Sequence, residues 1–508
     1  MKKYIFGLTL ILCLLSLQNF AQLVTYSEQD RDDPKDMNFE IIGKFNGNVH
    51  IYKNYRDVHY ISQYDISMKN ISKEKLEFMP DRIINVDFLQ LTDSYYLFYQ
   101  YQKRSVVYCM AVKFDANGKT VGNPLELDTT NISFSASNKL YSVVYSEDKQ
   151  KIMVVKINRP NDKNSIITAN LFDRQLNLIK KSVIPFAMQE RNATLSEFQV
   201  DNDGDLVFVK TFGSGANDVV NKVVLITKNW NEETIRTTEL NLTTIYLDDI
   251  RIKIDNYNKH YIIASFFTKQ RRGNIDGLYC FMLDKLSRTE LLNTRVGFSE
   301  EMRADLKSDG STKTALNDFF LRNIIAKRDG GFILAAESSY TSSRGNDGFN
   351  RWDGFGYGLP YNNGFNSFTP YGVGGLYYNP TFRNNFNNIT RYYSENIMVI
   401  SLDMKGKLEW SNIIRKSQYD DNTDSFIGYG TVNTGNEIHF LFNVQEKRQL
   451  LFSDQIITPS GQIVRTPTFK NLDKGYDFMP RNAKQTGARQ VIVPCMYRNY
   501  VCFAKVDF

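Results

Sequence analysis

The chain is poor in the residues that carry most enzymatic chemistry. It has four histidines, His50, His59, His260 and His439, scattered so that no two fall at metal-ligand spacing. There is no Gly-x-Ser-x-Gly elbow, no Walker glycine loop and no Ser-x-Asp-x-Gly-x-x-Trp box, although Ser308-Asp309-Gly310 comes near the last. No catalytic residue, metal site or cofactor is therefore expected. Beyond residue 21 no apolar run approaches the ~20 residues of a membrane-spanning helix, and no helical periodicity is sustained. The formal net charge is +6, with Lys2 and Lys3 supplying part of it, and no basic stripe offers a footprint for nucleic acid.

What the chain does have is a recurring turn. Hydrophobic segments end in Asp, Asn or Thr before a polar turn at Asp65, Asp115, Asp173, Asn229, Asp284, Asp403 and Thr458, with Asp507 ending the series. The spacing is roughly 55 residues. One gap, from Asp284 to Asp403, is about twice as long and contains a low-complexity insertion. A second series of turns opens apolar strands, as in Asp201-Asn202-Asp203-Gly204-Asp205 before Leu206 and Asp329-Gly330-Gly331 before Phe332.

Each repeat thus holds about four short strands bounded by Asn, Asp, Gly and Lys turns. Such a unit cannot bury both faces of its sheet alone, and radial packing of units solves the problem. The expected fold is all-β, a single β-propeller spanning 22–508, with eight blades and seven as the alternative. The final repeat is one strand short, and Leu23 to Ser27 is the natural donor, so pairing of the two termini should close the ring. Residues 1–21 read as a cleaved secretory signal, with Lys2 and Lys3, an apolar run from Tyr4 to Leu17 and Ala21 before Gln22. Cys13 is not expected to be a lipoprotein site, because Leu12 stands where a small residue is needed and apolar residues continue beyond it.

Of the remaining cysteines, Cys109 and Cys280 lie inside apolar strands and read as packing residues. Cys495 and Cys502 flank a hairpin turning at Arg498-Asn499, in a register that opposes them. The oxidising compartment implied by the leader permits a disulfide there, subject to geometry.

The segment 340–393 breaks the repeat. Between Gly354 and Phe382 it has no charged residue, and it carries fifteen aromatic residues spaced by Gly and Asn. Loops this long are either functional or disordered. Aromatic rings bring contact area at low entropy cost, and Gly and Asn let the backbone adapt. Trp352, Phe355, Tyr357, Tyr361, Phe365, Tyr371, Tyr377 and Tyr378 are the expected binding residues. Acidic groups are the other candidates. Asp201, Asp203 and Asp205 resemble the start of a calcium loop but lack the distal Glu and fall on a turn. Asp420, Asp421 and Asp424 carry no discriminating pattern.

Ser401-Leu402-Asp403-Met404-Lys405-Gly406-Lys407-Leu408-Glu409-Trp410 resembles the repeat of quinoprotein-type propellers, in which Asp, Gly and Trp recur at such spacing. Phe114 to Lys119 keeps the turn without the Trp. That group includes cofactor-dependent dehydrogenases and the non-enzymatic periplasmic scaffold lipoprotein of the outer-membrane barrel-assembly machinery. The resemblance covers about a tenth of the chain. It implies a bacterial envelope propeller and carries over no cofactor residue.

Two functions from different classes are expected. The first is a non-enzymatic scaffold or binding module of a Gram-negative envelope, periplasmic or extracellular. Its partner would be a protein, such as an outer-membrane channel or export complex, or a glycan. The second is a carbohydrate-active enzyme or glycan-binding propeller using strand-end carboxylates and aromatics. Convergence of two or three carboxylates beside aromatics would favour the second.

Overall fold

A computed structural model describes residues 23–508 except 31–36, 134–135, 137–138, 162–163, 188–192, 214–219, 272, 307–315, 317, 344–345, 351–389, 422, 447–448 and 466–474. The leader lies outside the described residues. The fold is all-β. Among the described residues seven antiparallel sheets are accompanied by one short α-helix, Glu300–Leu306, which sits in a linker and buries Leu306.

Six of the sheets are built on four-stranded meanders, and the largest contains two more, joined by a single pairing of Val220 with Leu247. Their first strands are Met37–Phe45, Asn85–Gln90, Tyr141–Tyr145, Ala193–Val200, Tyr246–Asp255, Phe319–Ala326, Tyr429–Asn433 and the paired segments Tyr476–Phe478 and Lys484–Gly487. We number these meanders units 1 to 8. The last is completed by the other end of the chain, since Leu23–Tyr26 pairs with Tyr500–Asp507 in the register Leu23↔Asp507 to Tyr26↔Ala504. Beyond it Ser27 and Asp30 donate backbone hydrogen bonds to Phe503 and Val501, and Asp30 forms an ion pair with buried Lys53.

Burial follows strand position. Fourth strands such as Asn70–Lys75 and Thr120–Asn131 are the most exposed, whereas first and second strands are largely buried. Each hydrophobic cluster is shared by two consecutive units. Ile42 and Phe45 of unit 1 pack with Val86 and Phe114 of unit 2. The same holds from unit 2 through unit 8. Met479, Ile492 and Phe503 of unit 8 then pack with Phe39 and Ile51 of unit 1.

The recurring Asp has a local cause. In the turn between third and fourth strands its Oδ1 accepts the amides two and four residues on, at 2.9 and 2.9 Å for Asp65, 2.9 and 2.8 Å for Asp115, 2.8 and 2.8 Å for Asp173, and 2.9 and 2.8 Å for Asp403. Thr458 Oγ1 accepts only the amide four residues on, from Gln462 at 3.1 Å, and its hydroxyl meets that of Ser460. The residue three positions on has positive φ, which glycine adopts freely at Gly118, Gly406 and Gly461 and which Met68 and Leu176 adopt under constraint.

Antiparallel connections alternate between two ends of each unit. First-to-second and third-to-fourth turns share one end. Second-to-third turns and the linkers between units share the other, and the insertion leaves from this linker end of unit 6.

Removing Leu23–Ser27 should lower the urea midpoint far more than Asp403→Ala, which forfeits a turn cap worth about 1 kcal/mol. Equal losses in equilibrium unfolding would mean that the terminal pairing contributes no more than one turn.

Candidate functional site

The eight aromatic residues expected to bind, Trp352, Phe355, Tyr357, Tyr361, Phe365, Tyr371, Tyr377 and Tyr378, lie outside the described residues. The structure does show what carries them. The second and third strands of unit 6, Phe332–Ser343 and Thr390–Leu402, stay paired out to Ser343↔Thr390. Short strands flank both edges, Asn346–Asn350 along the first and Gln418–Asp421 along the second, so the ribbon is four strands wide. Tyr340 and Tyr393 stack with centroids 4.5 Å apart, and Tyr419 follows 6.4 Å from Tyr393. Arg391 grips Asp421 with two bonds of 2.7 and 3.0 Å and lies 4.7 Å over the Tyr419 ring. This stem accounts for Tyr340 and Tyr393, which read in the sequence as part of the insertion.

At the foot of the stem sits a buried ionic cluster. Glu337, 1% exposed, receives Lys416 at 2.9 Å, Arg481 at 3.2 Å, Arg322 at 3.5 Å and the Ser394 hydroxyl at 2.7 Å. Burial alone would raise its pKa, but the three cations overcome it and hold the carboxyl down at about 2. Arg481, on the 3-10 turn Pro480–Asn482 of unit 8, also reaches Asp424 at 3.3 Å. One carboxylate thus ties the stem to units 6 and 8. Beside it, Asp420 is pushed up to about 7 by burial and then by Asp421, Asp477 and Asp424, and burial also raises Asp477.

The first strands of other units carry charge as well. Glu197 and Asp249 occupy bulges with φ of 58° and 55°, a conformation unusual for these residues, and both contact Arg251. Burial raises Glu197 to about 7 despite Arg251. Glu40 of unit 1, 7% exposed, is raised to about 8 by burial, with Lys484 of unit 8 opposing and Asp87 of unit 2 reinforcing the shift. Burial is also the main cause of the Asp87 rise. Sequence reading missed these groups. Their signal was an acid inside an apolar strand, as in Phe39-Glu40-Ile41 and Val86-Asp87-Phe88.

Asp201 behaves as a turn residue, accepting the amides of Asp203 and Asp205 at 3.0 and 2.9 Å. Lys285 from unit 5 lies 2.6, 2.6 and 3.0 Å from Asp201, Asp203 and Asp205, which gives this acidic turn a protein cation. Among the described residues no three His, Cys, Asp or Glu side chains are placed to hold a metal ion. Cys495 and Cys502 are Cα partners in the last hairpin, both buried, with sulfurs 2.9 Å apart. Cys109 and Cys280 are buried in strands.

No protein-family model and no curated protein matches the chain. Among solved structures, an ulvan lyase of a polysaccharide lyase family is 10% identical over 82% of this chain and 90% of its own, with a TM-score of 0.37. A Synechocystis apocarotenoid oxygenase variant is 8% identical over 63% of this chain and 90% of its own, with a TM-score of 0.32. At these scores neither likeness assigns an activity. No helix among the described residues is long and apolar enough to cross a membrane.

Glu337→Gln should cost roughly 3 kcal/mol, because it leaves three cations facing a neutral amide. The wild-type Glu337 contribution is present above the ordinary carboxylate pKa near 4.5 and is lost as pH falls toward 2. Unfolding curves from pH 6 to 3 should therefore converge for wild type and variant, and parallel curves would contradict the assignment.

Proposed function

We propose that the chain is an eight-bladed β-propeller of a bacterial envelope that acts as a non-enzymatic binding module, exported by its leader and engaging a protein partner through its linker end. Support for eight blades comes from eight meanders and eight shared hydrophobic clusters that run in order and return to unit 1. Seven blades would require two meanders to merge, and a single residue pair joins units 4 and 5. An experimental map viewed down the ring axis should show eight blades; seven would overturn the count.

The observation that carries the binding reading is the stem. A loop without a role needs no four-stranded support, stacked tyrosines, bidentate Arg391–Asp421 pair and buried ionic foot. These features fix where both ends of the segment 351–389 emerge, which lowers the ordering cost of binding. The aromatic, uncharged composition between them suits a partner with an apolar cleft or aqueous opening, such as an outer-membrane complex. Affinity purification from the native envelope should recover partners with the full chain and lose them when Gly345 to Asn388 is deleted. An unchanged set of copurifying proteins would sink the role of the insertion.

One observation favours a second reading, a carbohydrate-active enzyme. Asp420, raised to about 7 next to Asp424 and Asp477, lies beside exposed Tyr419 and could exchange a proton near neutral pH. The competing fact is that Glu337 and Asp424 are engaged by cations. If the chain cleaves glycans, Asp420→Asn should lower kcat by at least about a hundredfold with the fold intact by circular dichroism. Unaltered turnover in that variant would exclude Asp420 as the acid–base group.

A further inference from the structure

A cavity of about 510 Å³ opens at unit 2, lined by Arg82, Ile84, Gln102, Arg104, Ser105, Ile132, Ser133 and Ala136. It lies at the linker end, because Arg104 and Ser105 form the second-to-third turn of unit 2 and the other walls come from the linkers on either side of that unit. The walls are held by main-chain and amide bonds. Ile132 donates to Ser105 O at 2.8 Å, and Ile84 donates to Gln100 O at 2.7 Å. The Gln102 side chain is spent on structure, donating to Arg104 O at 2.8 Å and accepting from Ala136 N at 2.7 Å. Ile84 and Ile132 pack against the hydrophobic cluster shared by units 2 and 3, so the floor is apolar and fixed.

The charge in this cavity is one-sided. Two guanidinium groups line it and no acid does. Elsewhere Arg251, Arg322, Arg391 and Arg481 hold carboxylates, while Arg56 and Arg498, at the equivalent turns of units 1 and 8, lie over the Tyr55 and Tyr497 rings. Arg82 and Arg104 hold none among the described residues. Arg104 is set at the tip of a two-residue turn with φ of 55°, which fixes the origin of its side chain over the opening. Two permanent cations with planar donor forks match a carboxylate or sulfate better than any neutral group. The volume is in the range of small-molecule sites and exceeds what one inorganic anion fills, so the ligand has a body. Two isoleucines beneath it and two serine hydroxyls at its edge suit a body with an apolar face and a hydroxyl-bearing rim.

We propose that this cavity binds a saccharide unit bearing a carboxylate or sulfate, with Arg82 and Arg104 on the anionic group and Ile84 and Ile132 under the ring. The site is at unit 2 and does not depend on the insertion or on the protein-partner reading. Titration calorimetry of the full chain separates the chemistries, using a galacturonate trisaccharide, its methyl ester, a sulfated disaccharide of chondroitin type and inorganic sulfate. At least one of the two acidic saccharides should bind, the methyl ester and inorganic sulfate should bind at least about tenfold more weakly, and Arg82→Gln with Arg104→Gln should abolish the difference. Both residues are exposed, so the fold should persist. Arg104→Lys should recover part of the affinity, as a point charge replaces a fork. Failure of both acidic saccharides to bind, equal binding of the ester, or unchanged affinity in the double variant would each overturn the proposal.

Discussion

The constraint on which the structure depends is that a four-stranded meander of this sequence has two faces to bury and cannot bury either alone. Every cluster of buried side chains therefore belongs to two consecutive units, and no unit has a private core. The cycle of packing runs from unit 1 to unit 8 and needs its last sheet to be complete. Four residues from the chain's start, Leu23 to Tyr26, supply that missing strand. Their importance lies in position, since they join the two places where the chain would otherwise leave a sheet edge unpaired. Sequence separation is greatest here, so these contacts carry the largest closure cost and form the seam of the fold.

Much of the frame was legible because its signal is local. An Asp that caps amides two and four residues later leaves a visible pattern, and the pattern recurs wherever a third strand turns into a fourth. The strand shortage of the last repeat was legible for the same reason, as a missing segment after a counted series. The charged residues on the first strands were not. A lone Glu40 or Asp87 in an apolar strand looks like an interruption of patterning, and only the packing of consecutive units reveals which cation or carboxylate it faces. Lys285 is the plainest case. The sequence shows an acidic turn at Asp201 to Asp205, but nothing local indicates that a lysine some eighty positions away sits among its three carboxylates.

The buried ions are costly, and their distribution shows where the cost is compensated. Burying a carboxylate in an apolar sheet is unfavourable by several kcal/mol unless partners surround it. Glu337 has three cations and a hydroxyl and stays ionised, whereas Glu197 and Glu40 have fewer partners and are pushed toward their neutral forms. The fully compensated group is the one at the foot of the stem. There the ionic cluster spans units 6 and 8 and fixes the ribbon from which the insertion rises, so geometry rather than net stabilisation is what the cluster adds.

The two ends of the units differ in how completely their polar groups are used. At the turn end, Asp side chains, backbone amides and Lys285 satisfy one another within short connections. The linker end supports features that local turn chemistry does not require: the stem, Asp420 with its raised pKa, and the cavity lined by two arginines. A tight turn is fully determined by its own hydrogen bonds, so substitutions there are limited by folding. Linkers and second-to-third turns are held chiefly at their bases, by bonds such as Ile132 N to Ser105 O, and their tips are free to vary without disturbing the shared clusters. The binding proposed for the insertion and for the arginine cavity both falls at that end, where side chains can change without disturbing the shared clusters.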